Sequence, residues 1–239
     1  MRRTILLAAA AWLSLAGTAG AQATSTATPN APGKGASLTF DVDATLPPVA
    51  GKVPKALSFT APGFRFDPKA VARRCKPLQS TLDECPAKSR IGGGTLAIQV
   101  NALGQLRVTE IPIDFYLRNS RAVYAITKIS VTRATPGTIS TTGDAVSFAF
   151  TDLPDPPAFP NVTYALQRVT VQLGVSRKVT TVVRKKKKGR KAKKRTTTHA
   201  LLRTPTACDV TGAWASTVGF GYVDGTTEAV PTPMGCIAG

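Results

Sequence analysis

The chain has 239 residues, a formal net charge of +18 and only thirteen acidic residues and one histidine. No apolar run after the N-terminal segment approaches eighteen residues, which excludes a later transmembrane helix. Of the eighteen net positive charges, two are Arg2 and Arg3 and ten lie between Arg184 and Arg195, so the remaining body carries about +6.

The first residues, MRRTILLAAAAWLSLAGTAGAQA, combine a basic start, an apolar stretch from Ile5 to Ala16 and the small-residue site Ala19-Gly20-Ala21. That pattern predicts a signal peptide over 1–21, too short to span a bilayer, and a mature chain beginning at Gln22. Arg2-Arg3 raises twin-arginine export as a variant of the same reading, with ordinary secretory export preferred. The expected location is outside the cell or in the cell envelope. About 218 residues remain, enough for one large all-β domain or two small ones.

Residues 22–36 are small, polar and interrupted by proline and glycine, which predicts a flexible mature N-terminus. The domain proper is expected over 37–239. In SLTFDVDA, Leu38, Phe40 and Val42 alternate with Thr39, Asp41 and Asp43, the signature of a half-buried strand. ALSFT and FRFD read as short strands divided by Pro62-Gly63. Asp67 followed by Pro68 marks a helix start, and LQSTLDEC suggests a second short helical turn, ended by Gly92-Gly93-Gly94.

Strands return with TLAIQVN and QLRVTEIPIDFYLRN around Leu103-Gly104, and Pro112 predicts an edge position or bulge. AVYAITKISVTR, a Pro136-Gly137 turn, TISTT, a Gly143-Asp144 turn and AVSFAFTD follow. LPDPPAFPN is an irregular crossing. TYALQRVTVQLGVSRKVTTVV is one long strand or two meeting near Gly174. TTTHALLR and WASTVGFGYVDGTTE complete the series, the latter with a hairpin signal at Asp224-Gly225. Roughly ten to twelve short strands with almost no helix predict an antiparallel β-sandwich, of one or two packed units, carrying a small disulfide-stapled helical insert.

Four cysteines in an exported chain read as two disulfides, for which three connectivities exist. Cys75–Cys85 and Cys208–Cys236 are favoured because each pair brackets its own turn-rich segment; loop entropy assigns them roughly 3 and 3.5 kcal/mol. A metal site is disfavoured: there is no CxxC, and the only histidine, His199, is distant from the first pair in sequence. No cofactor is implied.

Catalytic signals are sparse. There is no GxSxG, HExxH or P-loop, and Gly92–Gly94 resembles a phosphate loop in composition alone. His199 on a hairpin arm, Asp41 with Asp43 on one strand face, and Asp152 with Asp155 among prolines each read more simply as structural or capping residues. Asn161-Val162-Thr163 fits the glycosylation pattern. The chain reads as non-enzymatic.

The densest feature is RKKKKGRKAKKR. Arg184, Lys185, Lys186, Lys187, Lys188, Arg190, Lys191, Lys193, Lys194 and Arg195 stand between two strand-like runs, as though at a hairpin tip. Their mutual repulsion within a Debye length of ~8–10 Å keeps such a loop extended and solvated. It suits acidic envelope polymers or an anionic lipid surface. No aromatic is interleaved for base stacking, and export sets intracellular nucleic acid aside as a target. The rival reading is a structural or protein-interaction sandwich with an idle solvated loop; a second rival is a hydrolase with an unrecognised carboxylate site. Oligomeric state is open.

RFDPKAVARRCKPLQSTLDECPAKSRIGGGTL, then LLRTPTACDVTGAW and GFGYVDGTTE ahead of Cys236, resemble a group of uncharacterised exported proteins of high-GC actinobacteria. These share a signal peptide, strands, a Cys…CP-x-x-S-x-[IV]-G-x-G block, further strands and a closing Cys…W…DG…Cys. The resemblance covers most of the mature chain. It implies export, this fold and pairing within each cysteine segment, and it carries no catalytic residue over.

Overall fold

A computed structural model describes residues 22–43, 54–81, 83–102, 104–128, 132–141, 145–151, 162–183 and 193–237. The signal peptide expected over 1–21, Asp152, Asp155, Asn161 and most of the basic run lie outside these. Among the described residues no helix is long and apolar enough to cross a membrane.

Alternating apolar residues dictate the architecture. In β2 (Gly35–Asp43), Leu38, Phe40 and Val42 are fully buried while the intervening residues face outward. β3 (Pro54–Pro62), β9 (Ala145–Phe150) and β15 (Thr217–Tyr222) repeat the pattern with Leu57 and Phe59, with Phe148 and Phe150, and with Val218 and Phe220. With β4 (Arg65–Phe66), β5 (Arg90–Ala102), β6 (Gln105–Asn119), β7 (Ala122–Lys128), β8 (Thr132–Ser140), β10 (Val162–Leu173), β13 (Leu202–Arg203) and β16 (Thr227–Pro231), they form one antiparallel sheet. Its order is β16-β15-β3-β9-β8-β7-β6-β5-β10-β2-β13-β4. The sheet folds over on itself. Phe40 and Phe59, from β2 and β3 at distant positions in that order, meet with ring centroids 4.7 Å apart, and Phe66 meets Phe148 at 6.2 Å. The two halves thus enclose one apolar core, as a sandwich requires.

The expected flexible segment over 22–36 is instead largely ordered in β1 (Gln22–Thr28), paired with β2 along its whole length from Gln22↔Asp43 to Thr28↔Ser37. Its small residues suit a crowded seam. Ser25, buried, shares a hydrogen bond with Ser216 at 2.6 Å and donates to the Thr232 carbonyl at 2.5 Å, which ties β1 to the far end of the sheet.

Two further readings change. Gly92–Gly94 do not end the insert but lie within β5, where β10 approaches so closely that a Cβ on Gly92 or Gly94 would strike the carbonyl of Gln172 or Thr170. Pro136-Gly137 is no turn but part of β8, and the absent side chain at 137 leaves room for the Phe150 ring, 2.5 Å from where a Cβ would stand. Pro112 does sit where β6 is a local edge: it pairs with Thr95 of β5, and β7 pairing starts only at Ile113.

The insert between β4 and β5 holds a 3-10 turn over Pro68–Ala70 capped by Asp67, a five-residue helix α1 (Pro77–Thr81) and a second 3-10 turn over Ala87–Ser89. Cys75–Cys85 closes it, and Cys75 packs with Tyr116, Tyr124 and Ile126 on the outer face of β6 and β7. At the C-terminal end, β14 (Ala213–Trp214) pairs with β17 (Met234–Gly235), clipped by Cys208–Cys236. Both disulfides are therefore sequential.

Candidate functional site

The basic run is carried on a separate antiparallel ribbon, β11 (Ser176–Val183) with β12 (Lys193–Ala200), outside the main sheet. Its register runs from Ser176↔Ala200 to Val183↔Lys193. Threonine and valine favour the extended backbone, and Thr180 and Thr196 bond across the strands at 3.1 Å. Arg177, Lys178, Lys194 and Arg195 are exposed. Of the ten basic residues singled out in the sequence, Lys193, Lys194 and Arg195 fall on β12. Arg184, Lys185, Lys186, Lys187, Lys188, Arg190 and Lys191 lie outside the described residues, in the nine-residue connection between Val183 and Lys193. No acidic residue occurs between Asp155 and Asp209.

The ribbon's root is well fixed. Gly174, at φ +149, turns the chain from β10 into β11; a Cβ there would lie 2.5 Å from Ser37 Cα, so only glycine permits this approach. Leu201 N–H donates to the Val175 carbonyl at 2.8 Å. His199 Nδ1–H donates to Asp67 Oδ2 at 2.7 Å. Burial tends to raise the Asp67 pKa. The hydrogen bond from His199, the Lys69 backbone N–H and both neighbouring charges outweigh it and hold the carboxyl below its ordinary range. His199 is therefore a tether between ribbon and insert.

A second feature lies on the outer face of the sheet, a groove of about 710 Å³ ending at the ribbon's root. Its floor is a run of strands whose outward residues align in rows. Thr39 of β2 stands opposite Gln172 of β10, which stands opposite Gly93 of β5, which stands opposite Asp114 of β6. The next row is Asp41, Thr170 and Thr95. Ala87 and Arg90, from the exit of the stapled insert, and Gly174-Val175 lie together at one end of the groove, where Gly174 N–H donates to the Ile91 carbonyl at 2.9 Å. Gly93 leaves room for the Arg90 side chain to lie across the floor. Arg90 Nη2 and Asp114 Oδ1 lie 2.6 Å apart above it, and a Cβ on residue 93 would come within 2.5 Å of that Nη2.

Along one margin Arg168 donates twice to the Asp41 carboxylate, with Thr170 Oγ1 donating at 3.3 Å. The Arg168 hydrogen bond lowers the Asp41 pKa against the effect of burial. Asp41 and Asp67 thus both shift downward, opposite to the direction a general acid needs. Among the described residues, no group of three or more His, Cys, Asp or Glu side chains is placed to hold a metal ion.

The groove escaped the sequence reading. Single threonines on outward strand positions look like any solvated face, and only the register brings Thr39, Thr95, Thr170 and Gln172 together. The glycine run was the one local signal. No family model matches the chain, and neither a curated protein nor a solved structure matches it. Function is therefore read from its own residues.

Proposed function

We propose that the protein is an exported, non-enzymatic binding module of the cell envelope or extracellular space that contacts acidic polymers through its basic ribbon. The observation that carries the reading is the separate β11–β12 ribbon. Its paired strands hold Val183 opposite Lys193, and the nine residues joining them include seven lysines and arginines. The mechanism is electrostatic: several cationic side chains neutralise polymer charge and release its counterions. Two disulfides suit an oxidising compartment.

The test replaces 184–195 with a Gly/Ser linker and titrates both proteins with isolated envelope and with a simple polyanion across a salt series. The intact protein is expected to bind with a steep negative slope of log affinity against log salt, about −5 for six neutralised charges on duplex DNA. The linker variant is expected to lose that binding. Equal behaviour of the two proteins would leave the ribbon an idle solvated insertion and defeat the proposal.

A further inference from the structure

The outer groove carries an inference independent of the ribbon's charge. The geometry points to a second binding site, in this groove, for a neutral saccharide chain.

The argument begins with what the floor withholds. β2, β10 and β5 are each paired on both sides along the groove, so their backbone N–H and C=O groups are engaged in ladders. A peptide cannot add there as a strand. Recognition must come from side chains. Those offered are the hydroxyls of Thr39, Thr95 and Thr170, the amide of Gln172 and the guanidinium of Arg90. All donate or accept hydrogen bonds. Ala87 and Val175 are the sole apolar side chains of the lining, which supplies no seat for a lipid tail and no aromatic face for a nucleobase.

Charge narrows the class further. Arg90, the one cation of the lining, is paired with Asp114, and Arg168 at the margin with Asp41. An anionic ligand would have to displace a carboxylate. A polyol does not: it exchanges hydroxyl bonds with Thr39 and Thr95, donates to Thr170 Oγ1, whose own hydrogen goes to Asp41, and accepts from an arginine that stays paired. Neighbouring strands place these groups roughly 4.8 Å apart, the scale of hydroxyls on one sugar ring and the next. The groove, of about 710 Å³, is open and polar, which suits a hydrated ligand and not an apolar one. The Arg90–Asp114 pair covers Gly93, so a ring would lie beside it, over Thr95, Thr170 and Gln172, and with no aromatic platform the affinity expected is millimolar.

The experiment titrates the intact mature protein with cellohexaose, chitohexaose and maltohexaose, following backbone amide shifts by NMR. A saturable shift is expected for at least one sugar, centred on Gly93, Thr95, Thr170 and Gln172. Gln172→Ala is expected to weaken it about fivefold, on the scale of one hydrogen bond. Thr95→Trp, an exposed position that alters no core contact, is expected to fill the floor and abolish the response. The 184–195 linker variant is expected to bind the sugar unchanged, so failure of the ribbon reading and failure of this one are read separately. The proposal is overturned by no saturable shift with any of the three sugars, by shifts centred elsewhere, or by a Thr95→Trp protein that keeps its fold by circular dichroism and still binds.

Discussion

The two disulfides close segments of similar chemistry that stand in different relations to the core. Cys208–Cys236 clips a segment that belongs to the main core: Trp214 is buried, packs edge-on to Phe64 at 5.6 Å and donates from Nε1 to the Ala207 carbonyl at 2.8 Å. Met234 beside it is fully buried. Cys75–Cys85 closes the later part of an insert, over a small satellite cluster on the outer face, while Ala70 and Val71 at the insert's start belong to the main core. Loop entropy alone barely separates them, because spans of 28 and 10 residues differ only logarithmically. The difference lies in what each loop touches. One crosslink stabilises the sandwich; the other pins the insert to the outer face of β6 and β7.

The sharpest break of that contrast is at Trp214. Trp214→Ala should cost about 4 kcal/mol and lower Tm by roughly 10 °C, by removing a buried ring and leaving a void in the main core; differential scanning calorimetry checks it. Next comes the double change Cys208→Ser and Cys236→Ser. A loss of about 3.5 kcal/mol is expected, read as a lower midpoint of global unfolding in urea, since strands of the core lose their clip. Cys75→Ser with Cys85→Ser should approach 3 kcal/mol on the same model, but as local opening. Hydrogen exchange is expected to rise over 75–89 while β2, β3 and β15 stay protected. A uniform rise across the sheet would erase the distinction between the two segments.

The smallest effect concerns the tether between insert and ribbon. Asp67 has a folded-state pKa below its unfolded value, so its contribution to stability is complete above the ordinary carboxylate range. It fades as the pH falls through the lower, folded value. Asp41 has the same sign. Stability should therefore fall below about pH 4, and Asp67→Asn should flatten part of that acid limb while leaving stability near neutrality only slightly reduced. Urea midpoints measured from pH 2 to 7 for both proteins test the sign.

Where the sequence was legible, the signal was local. Alternation at Leu38, Phe40 and Val42 named a strand and its buried face, Asp224-Gly225 named a hairpin, and the cysteine spacing suggested its own pairing. Asp67-Pro68 correctly marked a capped turn, although the turn is 3-10 and three residues long. What was not legible depended on partners remote in sequence. TSTAT looks disordered by composition; it becomes β1 because β2 and the Thr232 carbonyl supply its bonds. The triple glycine looks like a loop, and is a strand because β10 passes too close for any side chain at Gly92 and Gly94. Pro136-Gly137 looks like a turn until Phe150 fills the space above it. The groove is the extreme case: its floor draws on strands whose sequence positions differ by more than a hundred residues, and no window of the chain contains it.

The glycine joint at Gly174 and the tether at His199 have a consequence for protein engineering. They fix the root of a ribbon whose paired strands contribute nothing to the sandwich ladder. The main sheet therefore does not rely on the ribbon for its hydrogen-bonded pairing. Changes of length or sequence between Val183 and Lys193 are expected to leave the pairings of the main sheet unaltered, which hydrogen exchange on a variant with a longer connection would check.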